Sequence, residues 1–481
     1  MIYRAPEIAN SLSFLKSALT VNNPFNTTTE VLQWIRQRNV EVQVEINRIN
    51  FGEMTDWFID DKKNKIQHTS GKFFSIEGIN IQTNWGKVSS WDQPIINQPE
   101  IGFLGIITKE FDGVLYFLMQ AKIEPGNVNY VQISPTLQAT KSNYTQVHKG
   151  KVPTYLEYFL DRKNNEILID QLQSEQGARF LKKRNRNIII KVNSDLRVGD
   201  DFCWLTLGQI KELMRVDNII NMDTRTVISG ISFGNYSTDT INLYTLMRND
   251  ISEFNAGLLA SELDSHSSLH SFDHIIHWFT DLKVKYELEI KSVPLKDIAG
   301  WKIRDYCIKH QEDKFFQVIA VNVIISNREV TSWNQPLIAP VQEGICAFVI
   351  KKVNGVFHFI VQAKLECGNF DILEMAPTVQ CITGSYYSED SRTNLPFLDY
   401  VLSAPRDNIL SDTLQSEEGG RFFQEQNRNL IVVADEDFDV KLPVNYIWIT
   451  LNQLKTFIKF NNYLNIQARS LISAISFIDK K

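Results

Sequence analysis

Cysteine is scarce in this chain and charge of one sign is nearly absent as an excess. Its 481 residues hold five cysteines, Cys203, Cys307, Cys346, Cys367 and Cys381, with no C-x-x-C pair. An odd number without paired spacing argues against a disulfide framework and suits reduced thiols in a cytoplasmic protein. Lysine and arginine total 50 against 56 acidic residues, a net charge of -6. General binding to nucleic acid or to a membrane surface needs a concentrated positive field, which this balance does not supply. No apolar run reaches the length of a membrane-spanning helix. The opening MIYRAPEIANSLSFLKSALT has no charged segment leading into a long apolar stretch, so no secretory signal is expected. A G-x-G-x-x-G dinucleotide fingerprint is missing as well. What is plentiful is core material, 43% hydrophobic and 11% aromatic residues. The chain exceeds the length at which a single core usually stops growing, so two or more domains are expected.

The strongest global feature is an internal repeat. Trp91-Asp-Gln-Pro recurs as Trp333-Asn-Gln-Pro, Gln120-Ala-Lys as Gln362-Ala-Lys, and Leu172-Gln-Ser-Glu as Leu414-Gln-Ser-Glu. The offset stays at 242 residues, 333 less 91 and 362 less 120, from Phe73/Phe315 to Asn187/Asn429. Such regularity points to two homologous domains rather than a solenoid of short units. The organisation expected is an N-terminal extension over 1–28, a first domain over 29–240, a linker over 241–270 and a second domain over 271–481.

Each copy opens on a helical pattern, with Thr29 placed to cap EVLQWIRQRN and Ser271 to cap FDHIIHWFTDLK. KFFSIEGINIQT and KFFQVIAVNVIIS read as strands. Asp112-Gly113 and Asn354-Gly355 separate apolar runs and predict a β-hairpin in each half, because these residue types tolerate positive φ. LQSEQGARFLKKRNRN reads as a helix over Ser174 to Asn187, and CWLTLGQIKELMR as another. The fold class expected is α+β (mixed α/β), used twice. His266, His270, His274 and His277 could share a helical face as a metal site. Against this, Ser271 starts a new helix inside the run, no cysteine or carboxylate set completes it, and the first copy has no counterpart, so no metal is expected.

The densest polar chemistry lies between Gln120 and His148. On the strand VLYFLMQAKIE, Gln120, Lys122 and Glu124 share one face. A solvated face with an ion pair would explain one such copy, but Gln362, Lys364 and Glu366 repeat it, which favours a pocket. The chain then returns through Gln132, Ser134 and Gln138 to Lys141, Asn143, Tyr144 and His148, with Gln380 and Tyr386 as second-half counterparts of Gln138 and Tyr144. Hydroxyls and amides at this density suit a sugar or a base, and His148 has the pKa range of a general acid or base. Lys182, Lys183, Arg184 and Arg186 complement a helix C-terminus, yet RFFQEQNRN in the second copy has lost three of the four charges. Some of these cations, with Arg179, are therefore candidates for holding a diphosphate. Trp91 and Trp333 can stack on a base or simply pack in the core.

Comparison of the copies favours the first as the working site. His148 aligns with Asp390, Lys149 with Ser391 and Lys141 with Thr383, whereas Tyr144 keeps Tyr386. The second pocket, framed by Trp333, Gln362, Lys364, Gln380, Tyr386 and Gln415, reads as degenerate.

At these residues the sequence resembles the NDP-hexose 2,3-dehydratase family. The resemblance rests on SWDQPIINQPEIGFLG, QAKIEPGN, SPTLQATKSNYTQVHKG, DQLQSEQGARFLKKRNRN and DFCWLTLGQIKELMRVDNIINMDTRTVIS, and on second-half SWNQPLIAPVQEG, QAKLECGN, APTVQC, LQSEEGGRFF and ARSLIS. It covers nearly the whole chain from about residue 30, and departs at Cys367, where Pro125 stands in the first copy. It implies two tandem Nudix-like domains, a homodimer, no cofactor, and dTDP-4-keto-6-deoxy-D-glucose as substrate. Loss of the C2 hydroxyl would follow abstraction of the C3 proton, which the C4 carbonyl acidifies. The product, a 3,4-diketo-2,6-dideoxy sugar, would pass to an NADPH-dependent 3-ketoreductase. Under that resemblance His148 or Tyr144 would be the acid/base pair, Lys122 would stabilise charge at the C4 oxygen, and Glu124 would be an alternative base. Gln120, Gln173, Glu175, Arg179 and Arg184 would bind the nucleotide sugar. A Nudix-type diphosphate hydrolase is a rival, but it needs clustered carboxylates of the R-E-x-x-E-E kind for Mg²⁺, which neither copy supplies. A non-catalytic nucleotide-sugar binding protein is the other rival.

Overall fold

The computed structural model describes residues 6–60, 64–140, 152–161, 165–234, 240, 251–264, 266–326, 330–381 and 395–478. Helices and sheets are mixed in both halves, and the repeat seen in the sequence is a structural repeat. In the first half a seven-stranded sheet runs Glu166–Ser174, Arg184–Lys191, Gly102–Phe111, Val114–Ile123 and Phe202–Thr206, with Val131–Ser134 and Leu137–Ala139 attached. Arg184–Lys191 pairs parallel to Gly102–Phe111, and the remaining pairings are antiparallel. The second half repeats this sheet strand for strand, including the parallel pair Gly344–Val353 with Gln426–Val433.

Both hairpins form where the turn chemistry puts them. Asp112 and Gly113 have φ of 49° and 76°, Asn354 and Gly355 of 52° and 83°. Positive φ at both central residues matches the turn to the right-handed twist of the flanking strands. Ser271 caps the helix Phe272–Lys285 by accepting from the His274 amide. In the first half the cap is Thr27 rather than Thr29, and a reciprocal Thr27–Glu30 capping box starts the helix Thr28–Glu41.

Two expected helices are corrected. LQSEQGARFLKKRNRN is the end of the strand Glu166–Ser174, a connecting loop, and the start of the strand Arg184–Lys191. Its counterpart runs from Ile409–Ser416 to Gln426–Val433. Tertiary packing overrides the helical propensity of these residues: Phe180 leaves the loop to meet Phe422 edge to face at 5.9 Å. CWLTLGQIKELMR is likewise a strand, Phe202–Thr206, followed by the helix Leu207–Leu213, with Thr206 as N-cap.

The halves are interlocked by exchange. Val44–Ile49 of the first half pairs with Phe316–Ile325, and Leu288–Val293 of the second pairs with Ser75–Thr83. The residues expected as extension and linker also carry matching pieces. Ser17, in the helix Pro6–Ala18, donates to the Leu115 carbonyl and accepts from the Leu207 amide; Ser261, in Glu253–Leu263, does the same with Phe357 and Leu451. One apolar core runs through both halves, from Phe14 and Leu15 to Ile475 and Phe477. Burying each such large side chain contributes about 1.5–3 kcal/mol, so neither half has a complete core alone. Among the described residues no helix is long and apolar enough to cross a membrane.

Candidate active site

The halves meet around an open cavity of about 450 Å³. The strand Val114–Ile123 delivers Gln120 and Lys122 to it, and Glu124 follows at the strand's end. These three share a face, as the two-residue period of a strand requires. The chain then turns at Pro125-Gly126, where there is no room for a side chain. A Cβ on Gly126 would fall 1.6 Å from the Phe422 carbonyl oxygen. The Gly126 amide donates to the Gly419 carbonyl at 2.8 Å, and its carbonyl accepts from the Gln424 amide at 2.7 Å. That close approach brings the second half's loop Glu418 to Arg421 into the first half's cavity. Gly368 makes the mirrored contact with Phe180 and Gly177.

Inside the cavity a short network fixes the polar groups. Lys122 Nζ donates to the Gln138 carbonyl at 3.1 Å, and Gln138 Nε2 donates to Glu124 Oε1 at 2.6 Å. Asn221 donates to Gln138 Oε1 at 3.3 Å while capping the helix Met222–Ser229. This places Asp223 in the first helical turn, on the cavity wall. Lys183 donates to the Glu100 carbonyl, and Arg421 lies over the Phe74 ring at 4.3 Å and donates to Gln98 Oε1 at 3.1 Å. Trp57, His68, Phe73 and Phe74 form an aromatic wall, joined from the second half by Trp333.

Enclosure changes the charge states. Burial pushes the Glu418 carboxyl up to about 7 against the pull of Arg421, with Glu175 and Glu124 adding to the rise. Burial also lifts Asp223 well above the usual carboxylate range, helped by Glu418, Glu124 and Glu175 and opposed by Lys122. The Lys183 ammonium falls to about 8 through burial, against Glu175 and Glu418. The cavity therefore holds carboxyl groups able to give or accept a proton near neutrality beside cations able to stabilise an oxyanion.

Of the residues singled out in the sequence, Gln120, Lys122, Glu124 and Gln138 meet here. Lys141, Asn143, Tyr144, His148 and Tyr386 lie outside the described residues; Thr140 and Pro153, on either side of 141–151, both line the cavity. Gln132, Ser134, Gln173 and Glu175 are buried in framework bonds, to Asn129 and Ser416, to the Pro135 carbonyl, to the Ile458 carbonyl and to Asn185 respectively. Gln415 is held in the same way by the Met214 carbonyl and Arg225.

Three aromatic or cationic positions change sides. Trp333, expected in the second pocket, lines the first cavity. Trp91 packs with Ile79, Ile81, Ile95 and Cys367, and donates to Gln93. Arg179 lies 4.1 Å over Phe316 and faces Glu425 and Glu366, and Arg184 lies 4.1 Å over Phe370, so both address the second half. The cause is the exchanged loop: each half's Ser-Glu-x-Gly-x-Arg segment serves the other half's site. Around the second site, Lys364 donates to the Gln380 carbonyl and Gln380 to Glu366, as in the first, and Gln362 donates to the Pro377 carbonyl. Among the histidines, His270 and His274 stack at 4.8 Å, and the described residues contain no group of His, Cys, Asp or Glu side chains placed to hold a metal ion.

Asp223, Glu418, Gly420 and Arg421 escaped the sequence reading. A signal existed. LQSEEGGRF differs from LQSEQGARF at Glu418/Gln176 and Gly420/Ala178. Asp223 matches Gln467 once the offset becomes 244, 466 less 222 at the starts of two matching helices.

Comparison with known proteins agrees with this duplicated architecture. A family model described as NDP-hexose 2,3-dehydratase matches twice, over residues 28–231 and 272–475. A dTDP-4-dehydro-6-deoxy-alpha-D-glucopyranose 2,3-dehydratase of Saccharopolyspora spinosa is 45% identical over 466 residues, 97% of this chain and 95% of that protein. Proteins of the same name from Amycolatopsis orientalis and Streptomyces violaceoruber are each 40% identical, over 96% and 92% of this chain and 92% and 95% of their own lengths. With both copies matched and the relatives covered almost end to end, the chain belongs to the NDP-hexose 2,3-dehydratase family.

Proposed function

We propose that this protein is a hydro-lyase that removes the C2 hydroxyl of dTDP-4-keto-6-deoxy-D-glucose as water. The observation that carries this reading is the match of both repeats to relatives bearing that activity in their names. The cavity supports it with its mixture of carboxyl groups, cations and an aromatic wall. The C4 carbonyl makes the C3 proton acidic, so a base can remove it to give an enolate. Lys122 stabilises the negative charge on the C4 oxygen. The enolate collapses, the C2–O bond breaks, and a proton donor completes the water. The resulting enol tautomerises to a 3,4-diketo-2,6-dideoxy sugar, without net oxidation or reduction. Trp57, Phe73 and Trp333 offer faces for the thymine ring, and Arg421 and Lys183 offer charge to the diphosphate. His148 and Tyr144 stay candidates for acid/base work from the segment between Thr140 and Pro153.

Each repeat is read as a Nudix-like domain, supported by its mixed sheet with one parallel pair and packed helices. A cytoplasmic homodimer handing its reactive diketone to an NADPH-dependent 3-ketoreductase fits the chemistry. The test is incubation of purified protein with dTDP-4-keto-6-deoxyglucose, a 3-ketoreductase and NADPH, followed by mass spectrometry. Loss of one water is expected, and recovery of intact or merely reduced substrate would sink the reading.

A further inference from the structure

The two pseudo-equivalent sites share most of their frame, so their differences mark what the working site needs. Gln120, Lys122, Glu124 and Gln138 recur as Gln362, Lys364, Glu366 and Gln380, and Glu175 recurs as Glu417. Four lining carboxyl groups do not recur: Asp56 and Asp201 stand where the second half has Gly300 and Asn445, but Asp56 is exposed and Asp201 pairs with Arg38 at 3.6 Å, which leaves Glu418 and Asp223. Glu418 faces the first cavity where the second site has Gln176, and Asp223 lines it where the second site has Gln467. Both replacements are uncharged amides, which cannot exchange a proton near neutrality.

We propose that Glu418, supplied by the second repeat, takes the C3 proton, and that Asp223, supplied by the first, gives a proton to the departing C2 hydroxyl. This rests on the dehydratase reading above. Geometry supports the division. A Cβ placed on Gly420 would lie 3.1 Å from Glu418 Oε1 and 3.5 Å from Glu124 Oε1, so the two carboxylates flank one open point of the cavity. Glu124 Oε1 is already engaged by Gln138 Nε2, and its role is duplicated by Glu366, whereas Glu418 has no carboxyl counterpart. Gly420 itself keeps that point open; the second site has Ala178 there. In the gluco configuration the C3 hydrogen and the C2 hydroxyl lie on the same ring face, so a base and an acid on one wall can reach both. The charge states follow the same order, since Glu418 can ionise near neutrality while burial, with the neighbouring acidic groups, favours the protonated form of Asp223.

The step balances. The C3–H bond breaks to the Glu418 carboxylate and its electron pair enters the enolate. The enolate then reforms C4=O and makes C2=C3 as the C2–O pair leaves, taking the Asp223 proton as water. Glu418 ends protonated and Asp223 ionised, and exchange with solvent restores both.

The experiment uses Glu418→Gln and Asp223→Asn in D₂O, reading deuterium at C3 of recovered substrate by NMR and trapped product after coupled reduction. For Asp223→Asn we expect C3 exchange to persist while product falls at least about 100-fold, within the range assigned to a lost acid or base. For Glu418→Gln both readouts should fall by that factor. Wild-type C3 exchange in Glu418→Gln, or product within about threefold of wild type in Asp223→Asn, would overturn the assignment. A wild-type enzyme that forms no product would instead defeat the dehydratase reading. Amides occupy the matching positions 176 and 467 of the same fold, so both variants should melt with the wild type. The wild-type pH profile of kcat/KM is a second, fold-independent arm: one rising limb near pH 7 is expected, and a flat profile across it counts against Glu418.

Discussion

The first and second sites are built from the same strands, turns and exchanged loops, and they differ in what their walls can ionise. At four matching positions the first has Asp223, Glu418, Gly420 and Lys183 where the second has Gln467, Gln176, Ala178 and Glu425. In the second, Arg179 faces Glu425 and Glu366, and burial pushes Glu425 up to about 7 against Arg179. Both polar atoms of Gln176 and of Gln467 are buried without a hydrogen-bond partner among the described residues. Duplication thus preserved the frame of each site, while the ionisable wall is distinctive in the first. The frame is preserved because each site depends on the other half's loop, so neither half can lose its fold without damaging both.

The largest expected effect tests that shared frame. Arg225 is fully buried and joins the halves through Gln415 and the Ser416 carbonyl, and Arg469 does the same through Ser174. Removing either guanidinium leaves several buried acceptors without their donor, at about 1–3 kcal/mol for each group left unsatisfied. Arg225→Met and Arg469→Met should therefore lose similar amounts of stability in urea unfolding. A wild-type midpoint for either would mean that these bonds do not hold the halves together.

Next come the lysines that the halves share. Lys122→Met should lower kcat by about 10²–10³-fold if its ammonium faces the developing C4 oxyanion. Lys364→Met should leave kcat per folded molecule within about twofold, since it loses only framework contacts to Gln380 and Glu366. Equal losses in steady-state assays would show that both sites turn over and would break the asymmetry.

Much of this was legible in the sequence for physical reasons. Repeat, hairpins and the Gln-Ala-Lys-x-Glu face follow from local rules, namely constant spacing, positive-φ turn residues and strand alternation. The loop around Phe180 was not legible, because its residues have helical propensity and only contact with Phe422 across the halves holds them otherwise. A helix over Ser174 to Asn187 would keep Arg179 and Arg184 in their own half, whereas the exchanged loop sends them to the other. Trp333 changed sides through the same exchange, which no one-dimensional pattern records. Asp223 was hidden more simply, by a two-residue change of register between Asn187 and the helix it starts.

A smaller effect separates the sites by shape. Gly420→Ala would put a methyl between Glu418 and Glu124, at 3.1 Å and 3.5 Å from their oxygens, with no positive φ to strain the backbone. Misplacing reacting groups by a fraction of an ångström is expected to reduce kcat roughly tenfold with little change in melting temperature. The reverse substitution at the matching position, Ala178→Gly, should leave turnover unchanged. Steady-state kinetics on the pair would decide it, and an unaffected Gly420→Ala enzyme would separate the open point of the cavity from the reacting sugar.

The smallest effect concerns the framework carboxyls Glu175 and Glu417, which accept from Asn185 at 2.7 Å and Asn427 at 2.5 Å. Burial raises both, Glu417 to about 8, against Arg225 and the bond from Asn427. A carboxyl whose folded pKa lies above its unfolded value binds more protons in the native state, so its contribution is complete below the unfolded pKa and is lost as pH rises towards 8. Folding stability should therefore decline between about pH 5 and pH 8. Glu417→Gln, whose amide oxygen can still accept from Asn427, should flatten that slope more than Glu175→Gln does, because Arg469 and Lys183 beside Glu175 favour its ionised form while Glu425 beside Glu417 opposes ionisation. Urea unfolding across this range would measure both slopes. Identical flattening by the two variants would mean that the charge difference between the sites does not extend to the carboxyls beneath them.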